Sequence, residues 1–509
     1  MNLHNDFKRI FHRYFNYQHS FKSQNMNRNE FLKNLGFGTV AMVAGESLLS
    51  SCMGGMDMGA SVAPIVSDGE FINALRIPET ISGTSSLIAQ SVQDELLTGK
   101  RVGVQSYRNG ILGPTFRVQK GSTVNIAFQN KMAEHSNVHW HGLVVPANMD
   151  GNPEQMVMPN ESFNFQFPIN QQAGISWYHP HIHKLTGKQV MQGMAGLFIV
   201  ESPEEKALNL PSGNYEIPLI IQDKRLNMDG SIKYNPTMME VMSGYMGETV
   251  LVNGTTKPYV NVATRFYRFR VLNGSSARIY NLALSNKADF YVIGSDGGIL
   301  PQPEKVKSLM LSSGERADIL IDFSTMKLGE QVYLISETFS TMGTSQGADS
   351  FKILDFVVKN QESDTFKMPT SLIPVAKITG STKTRTFALT GDMMNMNGGM
   401  HKINGKVYNG NRIDETVSLG ATETWEFDNS TGDEAHPMHI HGVEFQVVSR
   451  SGGRNAIFSQ EKGWKDTVLV APKEKVQVIM KFGQSGKFVF HCHNLEHGDD
   501  GMMLNFEVK

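Results

Sequence analysis

The chain has 509 residues, 40% of them hydrophobic, with 48 glycines and a formal net charge of −2. One hydrophobic core does not serve a chain of this length, so several domains are expected. The near-balanced charge offers nothing to a nucleic-acid partner, and the modest charged fraction fits a soluble, β-rich protein.

Residues 1–52 read as an export signal. Asn27-Arg28-Asn29-Glu30-Phe31-Leu32-Lys33 precedes an apolar run from Leu35 to Leu49. That run is too short to span a bilayer and carries Glu46. It ends Leu49-Ser50-Ser51-Cys52, which looks like a bacterial lipobox with Cys52 taking the lipid. An ordinary signal peptide with an incidental cysteine is the alternative. The segment also resembles a twin-arginine signal, with Asn29 in place of the second Arg. Residues 1–25 carry no export logic, so Met1 and Met26 are both candidate starts. The expected location is the bacterial cell envelope or periplasm, with a lipid anchor. The leader holds six Lys/Arg and three Asp/Glu, so the exported chain carries −5. The two cysteines are Cys52 and Cys492. With one lipidated and the other on a metal, no disulfide forms and the fold rests on its core.

Residues 53–70 are rich in Gly, Met and Ser and read as a flexible tether. Short strand-like segments follow, punctuated by Gly, Pro and Asn: Thr123–Phe128, Gly196–Val200, Tyr267–Leu272, Arg316–Phe323 and Lys475–Met480. That pattern predicts β-sandwiches. Two polar, Pro-containing stretches, Ser202–Gly213 and Asn360 to about Thr384, divide the chain into thirds. The domains are placed at 71–203, 213–360 and 385–509. An internal repeat supports the division. His139-Trp140-His141-Gly142 parallels His439-Ile440-His441-Gly442, and Trp177-Tyr178-His179-Pro180-His181 parallels Val489-Phe490-His491-Cys492-His493. The middle third has no such pair, and no histidine occurs between His183 and His401. Asn109-Gly110, Asn253-Gly254 and Asn404-Gly405 are matching turns in all three thirds.

Ten of the thirteen histidines beyond the leader fall in four clusters: His139, His141, His179, His181, His436, His439, His441, His491, His493 and His497. Each His-x-His pair on a strand presents both imidazoles to one face. Four pairs offer eight nitrogen donors, more than one ion uses, so a polynuclear centre between the first and last domains is expected. Cys492 points opposite to His491 and His493. With imidazoles and the thioether of Met502, its thiolate makes a blue-copper ligand set. Zinc is a poor alternative, because it seldom takes a thioether.

These motifs, covering nearly the whole exported chain, resemble the four signatures of the multicopper oxidases. The likeness extends to Tyr107-Arg108-Asn109-Gly110-Ile111-Leu112-Gly113-Pro114 and Phe269-Arg270-Val271-Leu272-Asn273-Gly274. The bacterial copper-efflux (cuprous) oxidases and the spore-coat laccases are the similar branches. The resemblance implies an all-β fold of three consecutive cupredoxin-like Greek-key sandwiches, the middle one copper-free. It implies four copper ions. His436, Cys492, His497 and Met502 would hold type 1. His139 and His439 would hold type 2. His141, His179 and His493 would hold one type 3 ion, and His181, His441 and His491 the other. Dioxygen would be reduced to water with electrons from Cu(I) or a small phenolic reductant, by a monomeric enzyme. Asp150 matches the family's acid near type 2, with an ordinary turn Asp as the alternative. The family's second acid would follow His497, but Gly498 stands there, which leaves Asp499, Asp500 or water to carry the proton. His183 is read as support for the ligands, or as a surface histidine.

Three methionine groups remain: Met53, Met56 and Met58; Met238, Met239, Met242 and Met246; and Met393, Met394, Met396 and Met400 beside His401. Thioethers suit Cu(I). The last group falls where cuprous oxidases insert a Met-rich segment, and is read as a possible substrate-copper site. The second fits one face of a core helix equally well. A copper-free scaffold of the same fold and a copper store without turnover are the rival readings.

Overall fold

Strand-forming residues and left-handed turns recur along the chain, and the computed structural model pairs them into six sheets. It describes residues 69–340, 342–343, 346–392 and 399–509. The export signal, Cys52, the tether except Gly69 and Glu70, and Met393, Met394 and Met396 lie outside the described residues. Among those described, no helix is long and apolar enough to cross a membrane.

The sheets stack as three sandwiches. Two four-stranded sheets span Thr80–Glu201, sheets of six and eight strands lie chiefly in Glu216–Asn360, and two five-stranded sheets span Lys383–Val508. The repeat seen in the sequence recurs in the pairing. Thr84–Leu97 runs parallel to Thr123–Asn130, Glu216–Leu226 to Phe266–Asn273, and Lys383–Gly391 to Thr422–Asp428. In the facing sheets Thr115–Gln119 pairs parallel with Gly196–Glu201, Pro258–Ala263 with Phe351–Asn360, and Glu415–Val417 with Met503–Val508. The fold is all-β, three consecutive cupredoxin-like sandwiches, as expected.

All five strands read from the sequence are present. Two Asn-Gly turns have both residues left-handed: Asn253 and Gly254 (φ 51 and 73), and Asn404 and Gly405 (φ 52 and 71). These are the hairpin geometries that Asn-Gly favours. At Asn109-Gly110 only the glycine is left-handed (φ 102). Ile111 N there donates to Asp94 Oδ2, so a side chain rather than a hairpin ladder holds the bend. One short strand crosses between sandwiches: Asn73–Ala74 pairs parallel with Pro258–Tyr259 of the middle one.

Each sandwich has its own apolar core. The third is aromatic: buried Trp425 packs against Phe387, Phe482, Phe490 and Phe506 at centroid distances of 4.9, 5.5, 5.0 and 5.4 Å. Cys492 and Met502 belong to this same core. Trp425→Ala removes the centre of the packing and is expected to cost about 3–5 kcal/mol. Denaturant unfolding of the copper-free protein measures it, and a loss well under 1 kcal/mol would contradict the packing described.

Candidate metal centre

The four His-x-His motifs meet where the first sandwich faces the third. In the first, His139 and His179 pair across an antiparallel bridge, N to O at 2.9 and 3.2 Å. In the third, His436–Ile440 runs antiparallel to Gly486–Cys492, with His439 opposite His491 and Met438 opposite Cys492. Alternation along these strands sends the imidazoles to one face and the Cys492 thiol to the other.

On the imidazole face, ring nitrogens converge. His139 Nε2 lies 3.4 Å from His439 Nε2, and His179 Nε2 lies 3.4 Å from His141 Nδ1. His491 Nε2 lies 3.0 Å from His181 Nε2 and 3.2 Å from His441 Nε2. The second ring nitrogens are held. Nδ1 of His139, His439, His179 and His491 donates to the carbonyls of Asp150, Asp466, Pro180 and Cys492 at 2.8, 2.8, 2.8 and 2.9 Å. A carbonyl only accepts, so these rings carry the proton on Nδ1 and turn the Nε2 lone pair inward. His493 Nδ1 is 3.1 Å from Ser313 Oγ, and its buried Nε2 has no hydrogen-bond partner. Burial, reinforced by neighbouring imidazoles, lowers the pKa values of His139, His141, His179, His181, His441, His491 and His493, to about 3 for His179 and His491.

On the other face, Cys492 Sγ is 3.6 Å from Nδ1 of both His436 and His497, and those two nitrogens are 3.2 Å apart. His497 sits on the short helix Leu495–Asp500, whose left-handed Gly501 (φ 117) returns the chain. Met502 N then donates to His497 O at 2.8 Å, and Cys492 N to Met502 O at 3.0 Å, which buries Met502 beside the thiol. His497 Nε2 donates to Met242 O, 2.9 Å away in the middle sandwich.

Three family models described as multicopper oxidase match residues 89–205, 226–354 and 347–509. A multicopper oxidase of Staphylococcus haemolyticus is 36% identical over 428 residues, covering 83% of this chain and 88% of the relative. The chain belongs to the multicopper oxidase family. Other relatives are a laccase of Bacillus subtilis (31% identical, 86% of this chain, 98% of the relative) and the cell division protein FtsP of Escherichia coli (32%, 94% and 97%). A multicopper oxidase from Aquifex aeolicus superposes with a TM-score of 0.80 at 33% identity, covering 87% of this chain and 100% of that one.

Multicopper oxidases bind four coppers, of types 1, 2 and 3, and the donor sets here fit them. Ligand nitrogens about 2.0–2.1 Å from one tetrahedral ion lie roughly 3.3 Å apart, and a thiolate at about 2.3 Å lies roughly 3.5 Å from such a nitrogen. The spacings observed are those of ligands sharing an ion. The chemistry agrees, since imidazole, thiolate and thioether are copper donors.

Of the acids singled out from the sequence, Asp150 reaches the cluster. Its Oδ2 is 2.7 Å from His441 Nδ1, its Oδ1 is buried without a partner, and burial raises its pKa well above the usual carboxylate range. It is therefore not a surface turn residue. Gly151 beside it (φ 81) is packed so tightly that a Cβ would lie 2.0 Å from Val138 O. Asp499 instead accepts from the backbone N–H groups of Thr186 and Gly187 at 3.3 and 2.8 Å, and burial pushes its pKa up to about 7. His183 packs edge-on against Tyr408 at 4.9 Å.

Several residues at the centre escaped the sequence reading. Asp466, Thr467, Ser313 and Arg316 line the imidazole face. Buried Glu496, pushed up to about 8 by burial, accepts from Tyr234 Oη and Tyr245 N. His401 stacks on His497 at 3.7 Å, with Glu434 and Asp500 each 3.5 Å from one of its nitrogens. Glu496 and His401 sit beside quoted motifs. The others come from sequence positions that only assembly brings together.

Nine of the histidines, His139, His141, His179, His181, His436, His441, His491, His493 and His497, have folded pKa values below that of an exposed imidazole. Between about pH 6.5 and 4.5 the unfolded chain gains protons on them that the folded chain does not. Asp150, Asp296, Asp355, Glu444, Glu496, Asp499 and His401, with raised values, act oppositely but are fewer. Stability of the copper-free protein is thus expected to fall as pH drops through this window. Melting temperatures at pH 6.5 and 5 test it, and a higher value at pH 5 would be the wrong sign.

Proposed function

We propose that this oxidase couples four one-electron oxidations of Cu(I) at a type 1 copper to reduction of dioxygen to water at a three-copper cluster. His436, Cys492, His497 and Met502 hold type 1. His139 and His439 hold type 2. His141, His179 and His493 hold one type 3 ion, and His181, His441 and His491 the other. The two-faced strand end His491-Cys492-His493 carries this reading, because it joins a thiolate group to an imidazole cluster through one covalent segment. When bound, the coppers supply the one-electron and dioxygen chemistry that side chains lack.

The remaining work falls to the chain's own groups. Asp150 is the proton-holding group in this reading: its carboxyl is already aimed at His441 with one oxygen free, and it would supply a proton for dioxygen reduction at that face. Asp499 is the second proton donor in this reading, half-protonated near neutral pH at its value of about 7.

The Met393–Met400 segment and Met242 supply thioethers, which favour Cu(I) over a phenol. Met400 N donates to Asp500 Oδ2 at 2.6 Å, which ties the end of the Met393–Met400 segment to the helix carrying His497. Met242 lies against Gly391, which the His401 ring also approaches, and its own carbonyl holds His497. It belongs to a partly exposed helix, Met238–Ser243, and not to a core helix reaching Met246. The enzyme works in this reading as a monomer in the bacterial envelope, exported and anchored by lipid at Cys52.

Copper-loaded protein is expected to take up four coppers, show the intense blue absorption of a thiolate–copper bond, and consume dioxygen with Cu(I) faster than with a phenol. Fewer than four coppers, or no blue band, would end the reading; faster phenol oxidation would make it a laccase. Replacing Met393, Met394, Met396 and Met400 together by Leu should slow Cu(I) oxidation by about tenfold and leave phenol oxidation within about twofold. Asp150→Asn should lower dioxygen reduction by about 10²-fold at unchanged blue absorption. Full turnover by that variant would remove Asp150 from the proton path.

A further inference from the structure

We infer that Asp466, clamped by Arg316 of the middle sandwich, is the positioning residue that turns His141 so that its Nδ1 faces the copper cluster. This rests on the assignment of His141 to that cluster, and four-copper loading of the unaltered protein is the control that tests the assignment separately.

Among the eight imidazoles of the cluster face, His141 is the exception in offering Nδ1. His139, His179, His439, His441, His491 and His493 have Nδ1 engaged by a carbonyl, a carboxylate or a hydroxyl, and offer Nε2. In His141 the engaged atom is Nε2, 3.0 Å from Asp466 Oδ1 and 3.1 Å from Thr467 Oγ1. The Thr467 hydroxyl spends its proton on Asp466 Oδ1 at 2.8 Å, so it faces the ring as an acceptor. Two acceptors on Nε2 require the proton there. Nδ1 then keeps its lone pair, 3.4 Å from His179 Nε2.

The carboxylate cannot swing away. Arg316 grips both its oxygens in a fork, with Nη1 on Oδ1 at 2.7 Å and Nη2 on Oδ2. Arg316 is fixed in turn: Nε donates to Ile175 O at 2.8 Å and Nη1 to Gly314 O at 2.9 Å. Its side chain therefore bonds to all three sandwiches. Gly142, next to His141, leaves room for the fork: a Cβ there would lie 2.5 Å from both Arg316 Nη2 and Asp466 Oδ2. Arg316, Asp466 and His141 are all fully buried, so a lost contact leaves a buried polar group to be satisfied.

Asp466→Asn keeps the shape but has one acceptor oxygen. With the Arg316 fork on that oxygen, the amide N–H groups face His141 Nε2, and the ring loses the partner that fixes its proton. Losing such an outer partner typically costs 10- to 100-fold in metal affinity. After copper loading, D466N is expected to hold three coppers or fewer in place of four, with blue absorption at Cys492 undiminished. Arg316→Lys keeps a cation but not the fork, and should show a smaller loss with the same asymmetry. Retention of all four coppers by D466N with normal dioxygen uptake would overturn the inference. So would loss of blue absorption in step with cluster copper, which is what a merely structural role predicts. If D466N does not fold, R316K decides: cluster copper unchanged, or lost together with the blue band, overturns it equally.

Discussion

The centre depends on side-chain alternation along one strand end. Because neighbours point oppositely, His491-Cys492-His493 puts a thiol into the core of the third sandwich and two imidazoles into the seam with the first. Everything else follows from where that strand lies. Its partner strand must set His439 beside His491, which fixes the register with His436–Ile440. The first sandwich must close on the imidazole face with its own two pairs. A slip of one residue would exchange the faces and bury the imidazoles in an apolar core.

The middle sandwich contributes no proposed ligand, yet it reaches both faces. Ser313 orients His493, Arg316 holds Asp466, and Met242 O receives the His497 proton. Behind Arg316 lies a buried ionic knot in which Lys465 bridges Asp296 and Glu315 at 2.9 and 2.7 Å. Such a knot contributes little net stability, but breaking it strands a charge at a cost of about 3–5 kcal/mol. Its value is geometric. Rigid outer partners settle which nitrogen of each ring is free, and therefore where a metal can sit.

Motif spacing made the four histidine pairs, Cys492 and Met502 legible, because alternation on a strand is a local rule. The five strands were legible for the same reason. What spacing did not reveal is set by closure of the sandwiches. Asp466 meets His141 across 325 residues and Arg316 across 150, and nothing local marks Trp464-Lys465-Asp466-Thr467 as part of a metal site. Asn73–Ala74 joining the middle sandwich is likewise invisible in a sequence that continues directly into the first. The methionines at 238–246 misled by period: three fall four residues apart, but the helix ends at Ser243 and Gly244 turns the chain (φ 89). Met246 is buried beyond it.

Among the described residues two carboxyls, Asp150 and Asp466, bond to rings of the imidazole face, and their surroundings divide the work between them. Burial alone would raise the pKa of both. At Asp466 the Arg316 guanidinium reverses that, holding the carboxyl well below its usual range, so it stays an anion and can only accept. At Asp150 no cation intervenes, and burial raises the carboxyl well above its usual range, with Oδ1 unsatisfied. An anion locked in a fork orients a ring but has no proton to give, whereas a neutral acid with a free oxygen can release one and recover it. Gly498 sharpens the contrast. A Cβ there would lie 3.9 Å from His491 Nδ1, but glycine brings no acid to that side, and nearby Glu496 turns instead to Tyr234 and Tyr245. The acid in contact with the imidazole face therefore stands where the first sandwich meets the third, beside His441 and His139.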